Sequence, residues 1–376
     1  MGTLLAGARV VHWAGVVEDG WLELDEGRIT AAGTGPPARA PDRDLAGAWV
    51  LPGFIDIHVH GGGGASFESG DREEARRAIS FHRRHGTTTT LASLMTAGLD
   101  GLERSLSSLA GLVESGELAG LHLEGPFLSA ARCGAHDERL LRPPARDELA
   151  RLFAAGRASV RMVTLAPELD GGIDAVRAVV GHGAIAAVGH TDAGYEQTRA
   201  AVDAGATVAT HLFNAMRPLH HRDPGPVPAL LEDGRVTLEL ICDGVHLNPG
   251  VVHSVLALAG PDRVALVTDA ISAAGAGDGD HELGGRSVRV EGGVARLAGT
   301  DTLAGSTLTM DAALRVAVAA GVPVADASRS LSTTPARLLG LHERIGALEP
   351  GMDADLVVLD TDLRVEAVMS KGDWAS

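Results

Sequence analysis

The sequence is short of cysteine, lysine and long apolar runs. Its two cysteines, Cys133 and Cys242, are too few in 376 residues for a disulfide framework. No apolar run approaches the length of a membrane span, and residues 1–20 lack the basic-then-apolar pattern of a signal peptide. These absences predict a cytoplasmic protein with reduced thiols that has no membrane as its partner.

Lysine occurs once, at Lys371 near the C-terminus, and the rest of the 32 basic residues are arginine. Some two-metal hydrolases bridge their ions with a carboxylated lysine inside a barrel, and this chain has no lysine to spare for that role. A bridging ligand here would be a carboxylate or a solvent molecule. The net charge of −17 argues against nucleic acid as a partner. An anionic substrate would need local arginine or histidine to overcome this field.

From Phe54 onwards, short apolar runs alternate with helical patterns. Alternation of this kind predicts a parallel sheet, and a count of eight predicts a closed (β/α)8 barrel, with a doubly wound open sheet as the alternative. The length suits a large barrel with a small appendage. The eight apolar runs are residues 54–60, 87–94, 118–127, 161–167, 184–191, 207–214, 236–244 and 263–270.

The two ends of the chain have a different pattern, in which short strands are separated by turn signals such as Asp19-Gly20 and Glu26-Gly27. We therefore expect residues 1–50 and 345–376 to form one small β-sandwich domain. Residues 51–344 would form the barrel, with a glycine-rich β insert near residues 275–299.

Residues 53–64, GFIDIHVHGGGG, predict a buried strand that ends in a glycine turn. Side chains in a strand alternate between its faces, so His58 and His60 point the same way. The four glycines allow the backbone to bend sharply and a ligand to approach closely. Two histidines on one face at the end of a strand favour a divalent metal over two hydrogen-bonded core histidines.

Further polar side chains appear where later apolar runs end, and in a barrel these ends meet at one mouth. Glu124, His190 and His211 form the nitrogen and oxygen set that zinc or another borderline divalent ion prefers. His58 and His60 are expected to hold a second ion, with Glu124 as the bridge.

Asp269 ends the eighth run, in VTDA. A carboxylate within reach of a metal-activated water can act first as general base and then as general acid. This arrangement predicts metal-assisted hydrolysis of an amide-like bond. An additional metal ligand or a helix N-cap is the alternative role for Asp269.

Motifs along most of the chain, from Pro52 through Asp360, resemble the N-acetylglucosamine-6-phosphate deacetylase family of the amidohydrolase superfamily. The resemblance implies that acetate is removed from N-acetyl-D-glucosamine 6-phosphate with one or two divalent ions as cofactor. Zinc is expected, with iron, manganese and cobalt as alternatives. The motifs are GFIDIHVHGG, HLEGPF, CGAH, VGHT, THLFNAM, ICDGVH, VTDA, DTLAGS and the tail GMDADLVVLD.

The resemblance also implies roles for particular residues. Glu124, His190 and His211 match the main metal site, and Asp269 matches the acid/base residue. Arg222 matches a phosphate-binding arginine that acts across a dimer interface, which implies a homodimer. The expected contacts with the sugar phosphate are His136, Asn214, Ala215 and His246, and Leu303 is expected to shape the acetyl pocket.

The residues themselves also point to phosphate, because Arg217, His220, His221 and Arg222 form a basic cluster in an acidic chain. Among these we assign phosphate binding to Arg222 and a surface position to the others. Another amidohydrolase acting on a different N-acyl or cyclic amide substrate is the alternative function. A catalytically dead scaffold is disfavoured, because the ligand set is retained.

Overall fold

The computed structural model describes residues 2–375. A nearly closed barrel of eight parallel strands forms the centre of the molecule. The first and eighth strands meet just beyond their carboxyl ends, where the Asp269 N–H donates to the His58 carbonyl at 2.8 Å. The predicted (β/α)8 barrel is therefore confirmed, and the open sheet is excluded. The strands are Phe54–Asp56, Thr87–Met95, Gly120–Glu124, Val160–Leu165, Ile185–Val188, Val208–Ala209, Thr237–Ile241 and Val264–Val267.

Helices surround the barrel and bury one apolar face each against it. In Leu99–Glu114, for example, leucines 102, 106, 109 and 112 are buried because their spacing places them on one side of the helix. None of the described helices has the length and apolar character needed to cross a membrane. The barrel helices are Arg72–Arg84, Leu99–Glu114, Arg146–Gly156, Gly172–Gly181, Tyr195–Asp203, Pro226–Glu232, Pro249–Ala259 and Met310–Ala319.

After the barrel, Val324–Ser328 and Thr334–Leu338 are joined by a π-helical turn at Arg329–Thr333. Pro335 lies just after this turn, and proline lacks the N–H that would continue regular α-helical pairing. Short 3₁₀ turns occupy Ala130–Arg132, Glu138–Leu140 and Pro261–Arg263.

Both chain ends contribute to one eight-stranded sheet beside the barrel. The ends meet where Leu356–Leu359 pairs antiparallel with Trp49–Pro52. Leu22, Val50 and Leu356 belong to a separate apolar core that this sheet encloses. The strands are Thr3–His12, Gly15–Asp25, Arg28–Thr34, Arg43–Asp44, Trp49–Pro52, Leu356–Leu359, Val365–Ser370 and Asp373–Trp374.

An antiparallel insert of three strands, Gly279–Leu283, Arg286–Glu291 and Val294–Leu297, follows the eighth barrel strand. Two hydrogen bonds tie it to the barrel mouth. The Gly284 N–H donates to Glu68 Oε2 at 2.7 Å, and the Arg286 guanidinium donates to the His136 carbonyl at 3.0 Å. The insert is therefore a wall of the cleft at the carboxyl ends of the barrel strands.

A buried carboxylate, Asp311, joins the first and last barrel helices and does not line the cleft. It accepts hydrogen bonds from Thr309 Oγ1 at 2.6 Å and Arg315 at 2.8 Å, and it lies 3.1 Å from His85 Nδ1. Burial by itself would raise the pKa of Asp311, but bonds from His85, Thr309 and Arg315 hold this pKa well below its usual range.

Asp311→Asn should lower the free energy of unfolding at pH 7 by about 1–3 kcal/mol, because buried donors lose a charged acceptor. The folded-state pKa is depressed, so this contribution is present above the unfolded-state pKa of about 4 and is lost as pH falls below it. Urea denaturation at pH 7 and at pH 3 measures the difference. Asp301→Asn, at an exposed position, is the control. A difference that does not shrink at pH 3 would contradict this account.

Candidate active site

Several barrel strands end in residues whose backbone has the left-handed conformation. The φ angles are 47° at His190, 28° at His211, 49° at Ala215 and 49° at Asp269. Non-glycine residues rarely adopt this conformation, and it costs about 1–3 kcal/mol each. Here it turns the chain sharply out of the strand, so that side chains at the strand ends reach the barrel mouth.

Glu124, His190 and His211 meet at this mouth as the first group of candidate metal ligands. Glu124 Oε1 lies 3.1 Å from His190 Nε2 and 3.0 Å from His211 Nε2, and the two nitrogens are 3.1 Å apart. An ion with tetrahedral bonds of 2.0–2.1 Å separates its ligand atoms by about 3.3 Å, close to this spacing. All three side chains are buried, so the group fits a divalent ion.

The ring of His190 is held in the orientation that metal binding requires. Its Nδ1–H donates to the Arg132 carbonyl at 2.9 Å, which leaves the Nε2 lone pair directed at Glu124 and His211. The Arg132 guanidinium in turn binds Asp192, in the loop just after His190, at 2.7 Å. The segment that carries Arg132 therefore holds the ring of His190 through its backbone carbonyl and the loop after His190 through its guanidinium.

His58, His60 and Asp269 form the second group of candidate ligands. Asp269 Oδ1 lies 3.2 Å from His60 Nε2 and 3.5 Å from His58 Nε2, and the two histidine nitrogens are 3.2 Å apart. Glu124 reaches this group also, since its Oε2 lies 3.3 Å from His60 Nε2. One carboxylate thus faces both groups, in the position that the sequence predicts for a bridge.

In the second group, the imidazoles and the carboxylates each stabilise the charged form of the other. Burial lowers the pKa of His60, but the Asp269 and Glu124 carboxylates outweigh it and bring this pKa to about 9. Burial raises the pKa of Asp269, but His58 and His60 bring it to about 2. Asp269 is therefore ionised at neutral pH and can accept a proton.

Five of the six candidate ligands form the floor of a cleft of about 220 Å³ at the barrel mouth. His58 lies beneath this floor and is fully buried. Arg222 is exposed and donates to His221 at 2.8 Å, outside the cleft. The other sequence-predicted site residues all line the cleft: His60, Glu124, His136, His190, His211, Asn214, Ala215, His246, Asp269 and Leu303.

His136 lines the cleft as a neutral hydrogen-bond donor. His136 Nδ1 lies 2.9 Å from Thr96 Oγ1 and accepts a hydrogen bond from the Thr96 N–H at 3.4 Å. With Nδ1 as the acceptor, the ring proton lies on Nε2, which faces the cleft 3.4 Å from Glu124 Oε2. Burial, helped by His190, lowers the pKa of His136 to about 4. Its imidazole can therefore donate to a carbonyl oxygen near the first group at neutral pH.

His246 has the opposite tautomer. Its Nδ1–H donates to Asp243 Oδ2 at 2.7 Å, which leaves Nε2 as a hydrogen-bond acceptor for a ligand hydroxyl. Burial raises the pKa of Asp243, but its bond with His246 holds this pKa below the usual value.

Three buried polar residues beneath the cleft were not identified from the sequence. Glu239 Oε2 lies 3.0 Å from His58 Nδ1, and Asp56 accepts a hydrogen bond from Thr268 Oγ1 at 2.6 Å. His122 lies between Ser93 and Thr164, at 2.9 and 2.8 Å. A charged or imidazole side chain within an apolar strand was the available signal for each.

The family model of the amidohydrolase family matches residues 49–375, which is most of the chain. The chain belongs to the amidohydrolase family. The barrel strands and both groups of candidate ligands of this amidohydrolase all fall within the matched region.

Three deacetylases are similar to this amidohydrolase over most of the length of both chains. The crystal structure of an N-acetyl-D-glucosamine-6-phosphate deacetylase from Mycobacterium smegmatis is 50% identical, with a TM-score of 0.97 and coverage of 100% of both chains. The Bos taurus N-acetylglucosamine-6-phosphate deacetylase is 41% identical over 88% of this amidohydrolase and 84% of the relative. An Escherichia coli O157:H7 N-acetylgalactosamine-6-phosphate deacetylase is 38% identical over 96% and 97%.

Proposed function

We propose that this amidohydrolase removes the acetyl group of N-acetyl-D-glucosamine 6-phosphate and releases D-glucosamine 6-phosphate and acetate. The observation that carries the proposal is the pair of ligand groups that share Glu124 on the floor of a cleft with His136 and Asp269. The similarity to the Mycobacterium smegmatis and Bos taurus deacetylases supports this choice of substrate.

The proposed reaction uses the cleft residues in turn. His136 donates its Nε2–H to the acetyl carbonyl, and His246 accepts a hydrogen bond from a sugar hydroxyl. Glu124, His190 and His211 would hold a divalent ion, which would lower the pKa of a water molecule to about 7 and polarise the carbonyl. Asp269 takes the proton from the attacking water as general base and returns it to the departing amine as general acid.

We propose zinc as the ion, because two histidine nitrogens and a carboxylate oxygen suit it. Iron, manganese and cobalt accept the same ligand types. His58, His60 and Asp269 are the residues that would hold a second ion. Without lysine in the barrel, Glu124 is the protein side chain that would bridge the two.

For the phosphate we propose Arg222, supplied by the other subunit of a homodimer. Arg222 is exposed and does not line the cleft of its own chain. Two large apolar side chains are also exposed: Leu219, close to Arg222 in the sequence, and Val245, after the seventh strand. Exposed apolar side chains of this kind suit a contact with another subunit. An arginine that serves a neighbouring subunit is consistent with this position.

Acetate release from N-acetyl-D-glucosamine 6-phosphate tests the proposed function. We expect multiple turnovers with zinc present and none after a chelator has removed the metal, with recovery on adding zinc back. N-acetylgalactosamine 6-phosphate is the second candidate substrate, since the Escherichia coli relative has that name. Release of acetate from neither sugar phosphate by the zinc-loaded protein would overturn the proposal.

A further inference from the structure

Glu239 is a fully buried carboxylate in the seventh barrel strand, and it lies beneath both groups of candidate ligands. Its Oε2 lies 3.0 Å from His58 Nδ1 and accepts a hydrogen bond from the backbone N–H of His211 at 3.1 Å. His58 belongs to one ligand group and His211 to the other. One oxygen atom therefore contacts a member of each group.

The contact with His58 fixes its ring. When Nδ1–H donates to the carboxylate, Nε2 carries the lone pair and faces His60, Glu124 and Asp269. Carboxylates that hold histidine ligands in this way orient the ring and raise its basicity as a ligand.

The contact with His211 supports its backbone. His211 has a φ of 28°, a conformation that persists only where the surroundings hold it. Within the described residues its ring Nδ1 is buried and has no hydrogen-bond partner. The ring is therefore placed by the backbone, which two bonds tie to residue 239: His211 N–H to Oε2, and Leu212 N–H to the Glu239 carbonyl at 2.8 Å.

We propose that Glu239 is a positioning residue that couples the two ligand groups, because the same oxygen orients the His58 ring and holds the His211 backbone. Weakening this oxygen as an acceptor then weakens metal binding at both groups together. The inference rests on the proposed metal binding but not on the identity of the sugar phosphate.

Glu239→Gln tests the coupling, since glutamine keeps the shape of the side chain and replaces a charged acceptor by a neutral one. Metal-free protein is titrated with Zn²⁺ against a chromophoric chelator, without any sugar phosphate. We expect two binding steps in the unchanged protein, and both should weaken at least about tenfold in the variant. Asp311→Asn is the matched control, because it alters a buried carboxylate close to a histidine, neither of which lines the cleft or belongs to a ligand group, and it should leave both steps unchanged.

Unfolding of the metal-free proteins by urea separates positioning from general destabilisation. The two variants should lose comparable stability, and only Glu239→Gln should lose zinc affinity. If the glutamine variant does not fold, Glu239→Asp makes the same test, since it keeps the charge and withdraws the oxygen by one methylene. Weakening of one step alone, of neither step, or a single zinc per chain in the unchanged protein would overturn the proposal. If both zinc-binding steps weaken in the variant but the unchanged, zinc-loaded protein does not deacetylate the sugar phosphate, the proposed substrate is wrong and the coupling stands.

Discussion

Asp269→Asn should lower kcat for deacetylation by about 10²–10⁴-fold, the usual range for loss of a positioned general acid/base. Asparagine keeps the size of the side chain but cannot take a proton from water at neutral pH. The first ligand group does not include Asp269, so its metal ion should remain bound. Steady-state kinetics and metal analysis of the same preparation measure the two effects.

A control variant and an experiment with excess zinc show whether the loss of kcat comes from the missing proton acceptor. Asp280→Asn, at an exposed position on the insert, should leave kcat within about twofold, since surface substitutions usually have small effects. Excess zinc should not restore the Asp269→Asn variant, because the missing group is a proton acceptor. Turnover near that of the unchanged protein would remove Asp269 from the acid/base role, and recovery with zinc would leave it only the role of a ligand to the second ion.

Glu124→Gln should be the most damaging single change to metal binding, because the two carboxylate oxygens face different ligand groups. Oε1 lies 3.0 Å from His211 Nε2, and Oε2 lies 3.3 Å from His60 Nε2. The variant loses the negative charge that both groups share. Substituting a residue that only supports a ligand typically lowers metal affinity about 10–100-fold. We therefore expect the loss of a shared ligand to lower it more than about 100-fold.

Isothermal titration of the metal-free Glu124→Gln variant with zinc measures this loss, and residual acetate release should fall below about 1%. Glu68→Gln provides a control of the same chemical type. Glu68 is a carboxylate near the mouth that binds the Gly284 N–H and belongs to neither ligand group. Two zinc ions bound with unchanged affinity in Glu124→Gln would show that this residue is not a shared ligand.

The sequence was sufficient to predict the barrel and the residues that meet at its mouth. Apolar runs and helical patterns alternate clearly, and a polar residue at the end of an apolar run needs no tertiary information to be noticed. His190, His211 and Asp269 were all found in this way.

Other features depended on contacts that a sequence does not display. The sixth strand has only two residues, Val208–Ala209, although the apolar run continues to residue 214. The chain leaves the strand early because His211 and Phe213 take left-handed conformations. Glu239 looks like any single charge in an apolar run until its distances to His58 and His211 are known. The position of Arg222 outside the cleft depends on the loop conformation.

The most direct test of the proposed function compares acetate release from N-acetyl-D-glucosamine 6-phosphate with release from N-acetyl-D-glucosamine, using the same zinc-loaded protein. The cleft residues act on the acetamide, and the phosphate would add charge-assisted bonds to Arg222 that the unphosphorylated sugar lacks. We predict a kcat/KM at least about 100-fold higher for the phosphorylated sugar, which corresponds to roughly 2.7 kcal/mol. Equal values for the two sugars would contradict the assignment of a sugar phosphate as the substrate.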